Sequence, residues 1–179
     1  QAKEYDKARI VYEQTIQKYD DDEDPLRMEV VPELWYELGQ MYEEIGRYAE
    51  SGRAYHEAIA KYRHPVTAQD TPQFIIDSHF RAGEMLSKVQ SDQEALRLYQ
   101  NAVANYAERE APETRKQVNW ARYQIGVIQV RLGMEKEALE NFRQLVASPE
   151  GEGEMWKRLA SENHQNLTRQ FSYQQYLKQ

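Results

Sequence analysis

Cysteine is absent from the 179 residues, which excludes disulfides and thiol catalysis and leaves the redox compartment open. No apolar run approaches the roughly 20 residues of a membrane-spanning helix. Basic residues are outnumbered: 23 Lys and Arg stand against 30 Asp and Glu, for a formal net charge of -7 and a pI near 5.2. A nucleic-acid backbone is held by a positive surface, so this balance argues against nucleic acid as a partner while permitting a local basic spot. Glycine and proline are few, eight and six, and scattered, so neither a Gly-rich phosphate loop nor a serine elbow is present. His56-Glu57 opens the helical motif of zinc proteases, but the second His that motif needs would stand where Ala60 is. His64, His79 and His164 have no Cys or acidic cluster at ligand spacing, and each reads as structural or surface. The acidic run Asp20 to Asp24 would need Gly at its sixth place and Glu at its twelfth to hold calcium, and it has Pro25 and Val31 there. It reads as a solvated linker whose Asp24 caps a helix beginning at Pro25. Asn166-Leu167-Thr168 spells a glycosylation triplet on an expected helix and carries no weight. No catalytic residue, metal or cofactor is implied.

What the chain does have is tyrosine and a period. The hydrophobic fraction of 40% leans on 13 Tyr and the mean hydropathy is -0.93, the profile of a surface-rich shape in which each unit touches only its neighbours. From Pro32 to Pro65, Trp35, Leu38, Gly39 and Tyr42 follow W-x-x-L-G-x-x-Y, then Gly46, then Ser51, Tyr55 and Ala58 at four- and three-residue steps. Those steps put each set on one face of a helix; Gly39 lets a second backbone come close, and Gly46 stops the first helix. The stretch resembles the tetratricopeptide repeat (TPR) family, whose fingerprint is this series, with Ser51 where the family usually has Ala.

The pattern recurs. Tyr12, Tyr55, Tyr99 and Phe142 are 43 or 44 residues apart, longer than the 34 of the common family unit, and the surplus is expected in longer helices and connections. Tyr19, Tyr62 and Tyr106 each lie seven residues further on and should extend the buried stripe. Residues 2–19 match only a second helix, so the expected organisation is a half repeat over 1–24, repeats over 25–65, 66–110 and 111–150, and a capping helix with tail over 151–179. Pro32 either kinks or restarts its helix. Thr71 and Pro72 read as N-cap and first residue of the next first helix, in which His79, Ala82, Gly83 and Leu86 take the fingerprint places; Ser91 and Asp92 make its turn. Pro112 starts a further unit with Ile125, Gly126, Gly133, Ala138, Phe142 and Leu145. Trp156, Leu159 and Ala160 restore the fingerprint in a cap that is polar outside at Glu162, His164, Gln165 and Arg169, and no Gly or Pro decides whether 153–177 is one helix or two. Because the first residues read as the middle of a repeat, a longer parent chain is expected.

The fold this implies is all-α, a right-handed αα superhelix of antiparallel pairs, acting as a protein-interaction scaffold and not as an enzyme. In the family the concave wall is lined by first-helix residues. The register carries this onto Tyr36, Gln40 and Glu43 in one repeat, Phe80 and Glu84 in the next, and Trp120, Tyr123, Val127, Val130 and Arg131 in the third. Tyr36, Phe80 and Tyr123 would form an aromatic ladder for a peptide or partner helix. On the other reading such rings are family filling, and Trp120, Val127 and Val130 are covered by the cap or by a second chain. The Lys, Asn and Arg of TPR domains that hold acidic chaperone tails are replaced by Glu33, Tyr36, Gln40, Asp77, Arg81 and Glu84, so that activity is not implied. The long period with Tyr and Gln resembles bacterial TPR proteins of envelope assembly or secretion, which leaves envelope and cytoplasm both open as locations. The alternative function is a structural module that pairs with another chain, as a homo-oligomer or with the rest of its parent.

Overall fold

A computed structural model describes residues 2–19, 25–66, 69–149 and 154–177. Among them are eight helices and no strand: α1 (Ala2–Tyr19), α2 (Pro25–Glu44), α3 (Tyr48–Lys61), α4 (Gln73–Lys88), α5 (Asp92–Tyr106), α6 (Pro112–Arg131), α7 (Glu135–Ala147) and α8 (Met155–Leu177). They fall into two compact units, Gln1–Glu108 with α1 to α5 and Arg109–Gln179 with α6 to α8. In each unit every helix packs on the next in sequence, the arrangement of an all-α TPR solenoid. The acidic run at 20–24, with Asp24 as a cap, lies outside the described residues.

The pairing rule is a ring laid on a glycine. An alanine carbon at Gly39 would lie 2.7 Å from the Tyr55 ring, one at Gly83 3.1 Å from Tyr99, and one at Gly126 2.6 Å from Phe142. Removing the side chain from the first helix lets the second approach, and Tyr55, Tyr99 and Phe142 are buried as a result. Ser51, also fully buried, spends its hydroxyl on the Gly39 carbonyl at 2.8 Å. Tyr12 carries the same register on α1 and is half-buried.

The turns repeat as well. Arg47 N donates to Tyr42 O at 2.9 Å and Gly46 N to Glu43 O at 3.0 Å; Ser91 N to Leu86 O and Gln90 N to Ser87 O, and Met134 N to Gln129 O and Gly133 N to Val130 O, are the same two bonds. This is a Schellman stop, which needs a left-handed residue. Gly46 and Gly133 supply it at φ 74 and 73, while the middle turn forces Gln90 to φ 61.

Several expectations are corrected. The middle turn is made by Val89 and Gln90, with Ser91 at the N-cap of α5 and Asp92 already helical. Pro72, not Thr71, is the cap residue of α4. The helix α2 continues through Pro32. Of the three outlying tyrosines only Tyr106 is buried; α3 stops at Lys61, leaving Tyr62 in extended backbone, and Tyr19 is half-buried. Residues 155–177 form one helix, seated through Trp156, Ala160 and Leu167 on a cluster with Tyr123, Phe142 and Leu145; Glu162, Gln165 and Arg169 face out as expected, and His164 is half-buried.

Candidate functional site

The site residues read from the sequence divide between the units, and each group is taken by itself. In the first unit, α2 and α4 pack side by side, and the stripe Tyr36, Gln40, Glu43 meets the stripe Phe74, Asp77, Arg81, both at helical three- and four-residue steps. The Tyr36 ring lies 5.7 Å from that of Tyr55 and 6.0 Å from that of Phe74, and its hydroxyl accepts a bond from Gln40 Nε2 at 3.1 Å. Burial, followed by the nearby Asp77 carboxylate, raises the Tyr36 pKa, so the phenol keeps its proton. Glu43 is the hub: one carboxylate oxygen accepts from the Tyr55 hydroxyl at 2.9 Å and from Arg81 Nη1 at 2.8 Å. Burial and then Glu43 hold the Tyr55 phenol far above its ordinary value, fixing it as the donor. The ion pair is not sealed off, since the Arg81 side chain is 39% exposed and that of Glu43 24%.

Beyond this hub an open hollow of about 370 Å³ is lined by Gln40, Glu43, Glu44, Tyr48, Arg81 and Lys88. Glu84 meets Lys88 at 3.2 Å, and the Lys88 ammonium lies 4.8 Å from the Tyr48 ring centre. Tyr36, Gln40, Glu43 and Glu84 are thus gathered on one face and remain partly exposed. Phe80 differs: it is buried, its ring 6.0 Å from that of Tyr106.

In the second unit Tyr123 is buried, its ring 5.3 Å from Trp120 and 6.1 Å from Phe142, with its hydroxyl 3.5 Å from Asn163 Nδ2 on α8. Trp120, Val127 and Val130 are half-buried against the cluster that includes Trp156, Ala160 and Leu167. The capping helix therefore takes up part of the apolar wall expected there. Arg131, the last residue of α6, is exposed. Of the three rings expected to line the groove, Tyr36 is half-buried, while Phe80 and Tyr123 are buried within their own units. Phe80 and Tyr123 each follow the fingerprint position by one residue, a step of about 100° around the helix, and Tyr106 and α8 cover that direction here.

Sequence reasoning missed the hub of Glu43, Tyr55 and Arg81. The signal available was opposite charge on successive first helices at different register positions, Glu43 four residues after Gly39 and Arg81 two residues before Gly83. Among the described residues no group of His, Cys, Asp or Glu is gathered to hold a metal ion, and no helix is long and apolar enough to cross a membrane.

The tetratricopeptide repeat family matches residues 32–65 and, through a second family model, residues 120–150. Among solved structures, YrrB, a TPR protein with an unusual peptide-binding site, superposes with a TM-score of 0.60 at 19% identity, covering 97% of this chain and 71% of its own. The Rap conjugation gene regulator of the plasmid pLS20, in complex with the Phr* peptide, gives 0.46 at 19% identity, covering 96% of this chain and 50% of its own. At 19% identity the likeness to YrrB is one of fold. No curated protein matches the chain in sequence.

Proposed function

The chain belongs to the tetratricopeptide-repeat family, and on that premise we propose that it is an interaction scaffold that holds a peptide or partner protein against its first-helix faces, with no chemistry of its own. The observation that carries this reading is the α2–α4 face of the first unit. There Tyr36, Gln40, Glu43 and Arg81 are held by hydrogen bonds yet reach solvent. Side chains fixed before a ligand arrives lose little entropy on binding, which favours recognition. That YrrB has a peptide-binding site supports a peptide as the kind of ligand. Trp120, Val127, Val130 and Arg131 would extend recognition in the second unit by their exposed parts. The acidic balance of the chain speaks against nucleic acid as the ligand.

The test is equilibrium binding of the whole chain to an immobilised peptide library, repeated with Gln40→Ala, Glu84→Ala and Arg81→Ala combined. Loss of at least tenfold in affinity with unchanged helicity supports the face. Unaltered binding by the triple variant removes it from consideration.

A second reading, a module that pairs with another chain, is favoured by one observation: Ile10 and Val11 on α1 are 44% and 61% exposed. Mass in solution at two concentrations separates the two. A dimer lost on Ile10→Lys with Val11→Lys, and with it no peptide capture at any concentration, decides for pairing.

A further inference from the structure

The α2–α4 face carries a second hollow that neither sequence nor family pointed to. It holds about 380 Å³ and lies at the N-terminal end of both helices, between Pro32 of α2, Tyr62 and His64 after α3, and Pro72 and Phe74 at the start of α4. Its walls are rings, four of the five residues just named being aromatic or proline besides His64. Its charges are Lys61 and Arg63 against Glu29, whose carboxylate lies 3.7 Å from His64 Nε2. On a chain of net charge -7 two of the three charged residues lining this apolar floor, Lys61 and Arg63, are basic, with the Asp70 carboxylate acting on Tyr62 from nearby.

The two hollows are on one track. Phe74 lines the first and meets the Tyr36 ring at 6.0 Å; Gln40, bonded to the Tyr36 hydroxyl, lines the second. From Pro32 in one to Glu43 in the other, α2 advances about 16 Å at its rise of ~1.5 Å per residue. An extended peptide covers that distance in about five residues.

We infer that this face takes an extended peptide at two anchors about five residues apart: an apolar side chain flanked by an acid in the hollow of Tyr62 and Phe74, and a polar side chain in the hollow of Gln40 and Arg81. The inference deepens the scaffold reading and rests on it. Apolar walls beside Lys61 and Arg63 select the first anchor by burial and by charge together. The mixed charges of the second hollow select polarity without favouring one sign. Tyr36 between them is a flat ledge over which a backbone can run.

The probe is a set of fluorescein-labelled nonapeptides on a Gly/Ser background, each with one Phe-Glu pair and one Asn at separations from two to eight residues, in both chain directions, titrated against the 179-residue chain. The expected result is an affinity maximum at a separation of four to six residues, at least tenfold above that at two. Arg63→Glu with Lys61→Glu should shift preference from Phe-Glu to Phe-Lys peptides, and Gln40→Ala should flatten the dependence on separation while leaving the acid preference. Affinity independent of separation, or an acid preference that survives the charge reversal, overturns the two anchors while the scaffold reading stands. Failure of every peptide to bind overturns both. Circular dichroism of each variant, compared with the parent, distinguishes lost anchoring from lost folding.

Discussion

A methyl group at Gly126 tests whether the ring-on-glycine contact organises each pair. Substituting Ala puts its Cβ 2.6 and 2.7 Å from Cε1 and Cζ of Phe142 and 2.9 Å from Asn141 Nδ2. Neither neighbour can yield freely. Phe142 is fully buried, and the Asn141 amide donates to the Arg122 carbonyl at 2.8 Å. Overpacking of this kind costs about 1–3 kcal/mol, whereas replacing a helical Gly by Ala returns about 1 kcal/mol of propensity. Because both neighbours are held, the cost falls in the upper part of that range, about 2–3 kcal/mol, and the net is a loss of about 1–2 kcal/mol, which for a unit of this size lowers Tm by roughly 4–16 °C.

Gly39→Ala should behave alike, since its Cβ would lie 2.7 Å from a Tyr55 ring that the Glu43 bond holds in place. Gly83→Ala is the internal control. There the approach to Tyr99 is 3.1 Å, a few tenths of an ångström of adjustment suffice, and propensity offsets the cost, so Tm should move by no more than about 2 °C. Thermal melts by far-ultraviolet circular dichroism compare the three. A double-mutant cycle of Gly126→Ala with Phe142→Leu should show coupling of about 1 kcal/mol, because the smaller side chain relieves the clash. Equal or raised Tm for Gly126→Ala, or the same loss at Gly83 as at Gly126, would refute the reasoning.

Three further outcomes follow from particular residues. Gln90→Gly should stabilise the chain by about 0.5–1 kcal/mol in urea unfolding, because Gln90 sits at φ 61 where a side chain is disfavoured. His79 is buried, with Nδ1 2.9 Å from the Ile75 carbonyl and 3.1 Å from the Tyr106 hydroxyl, and burial lowers its pKa below the ordinary value. The unfolded chain therefore takes up the proton first, so stability is full above about pH 6.5 and falls as pH drops below it, and His79→Gln should flatten that slope in urea melts between pH 7 and 5. Tyr55→Phe removes a hydroxyl that donates to Glu43 at 2.9 Å and should cost about 1 kcal/mol, with the Arg81 pair remaining, as read by the same melts.

The helical pairs were legible because their determinants are local. Gly39 and Tyr55, Gly83 and Tyr99, and Gly126 and Phe142 each stand sixteen residues apart, and two helices with a short turn need no distant information to find that contact. The stop at Gly46 was legible for the same reason, whereas Gln90 adopts the glycine's conformation without the glycine, so the turn expected at Ser91 and Asp92 lies two residues earlier. Burial set from outside a pair was not legible. Phe80 is closed by Tyr106 and Tyr123 by the cluster with α8, and nothing within either first helix distinguishes those rings from Tyr36. Tyr62 and Tyr106 occupy one register, yet α3 ends before the first and α5 includes the second, because His64-Pro65 follows one and no proline follows the other so closely.

These failures carry the functional argument. A ring that its own chain covers contributes stability, and truncating buried Phe80 or Tyr123 would cost several kcal/mol in folding before it reported on any ligand. Recognition in the first unit then falls to side chains that are positioned but still wet: Tyr36, Gln40, Glu43, Arg81 and Glu84. Charge decides what they can favour. Glu43 already accepts from Tyr55 and Arg81 and Glu84 from Lys88, so the hub offers partly compensated charges, and an exposed pair of that kind is worth little as raw attraction. What it supplies is a fixed arrangement of donors and acceptors beside an aromatic surface. Discrimination at this hub should accordingly come from where a ligand places its groups and not from the sign of its charge.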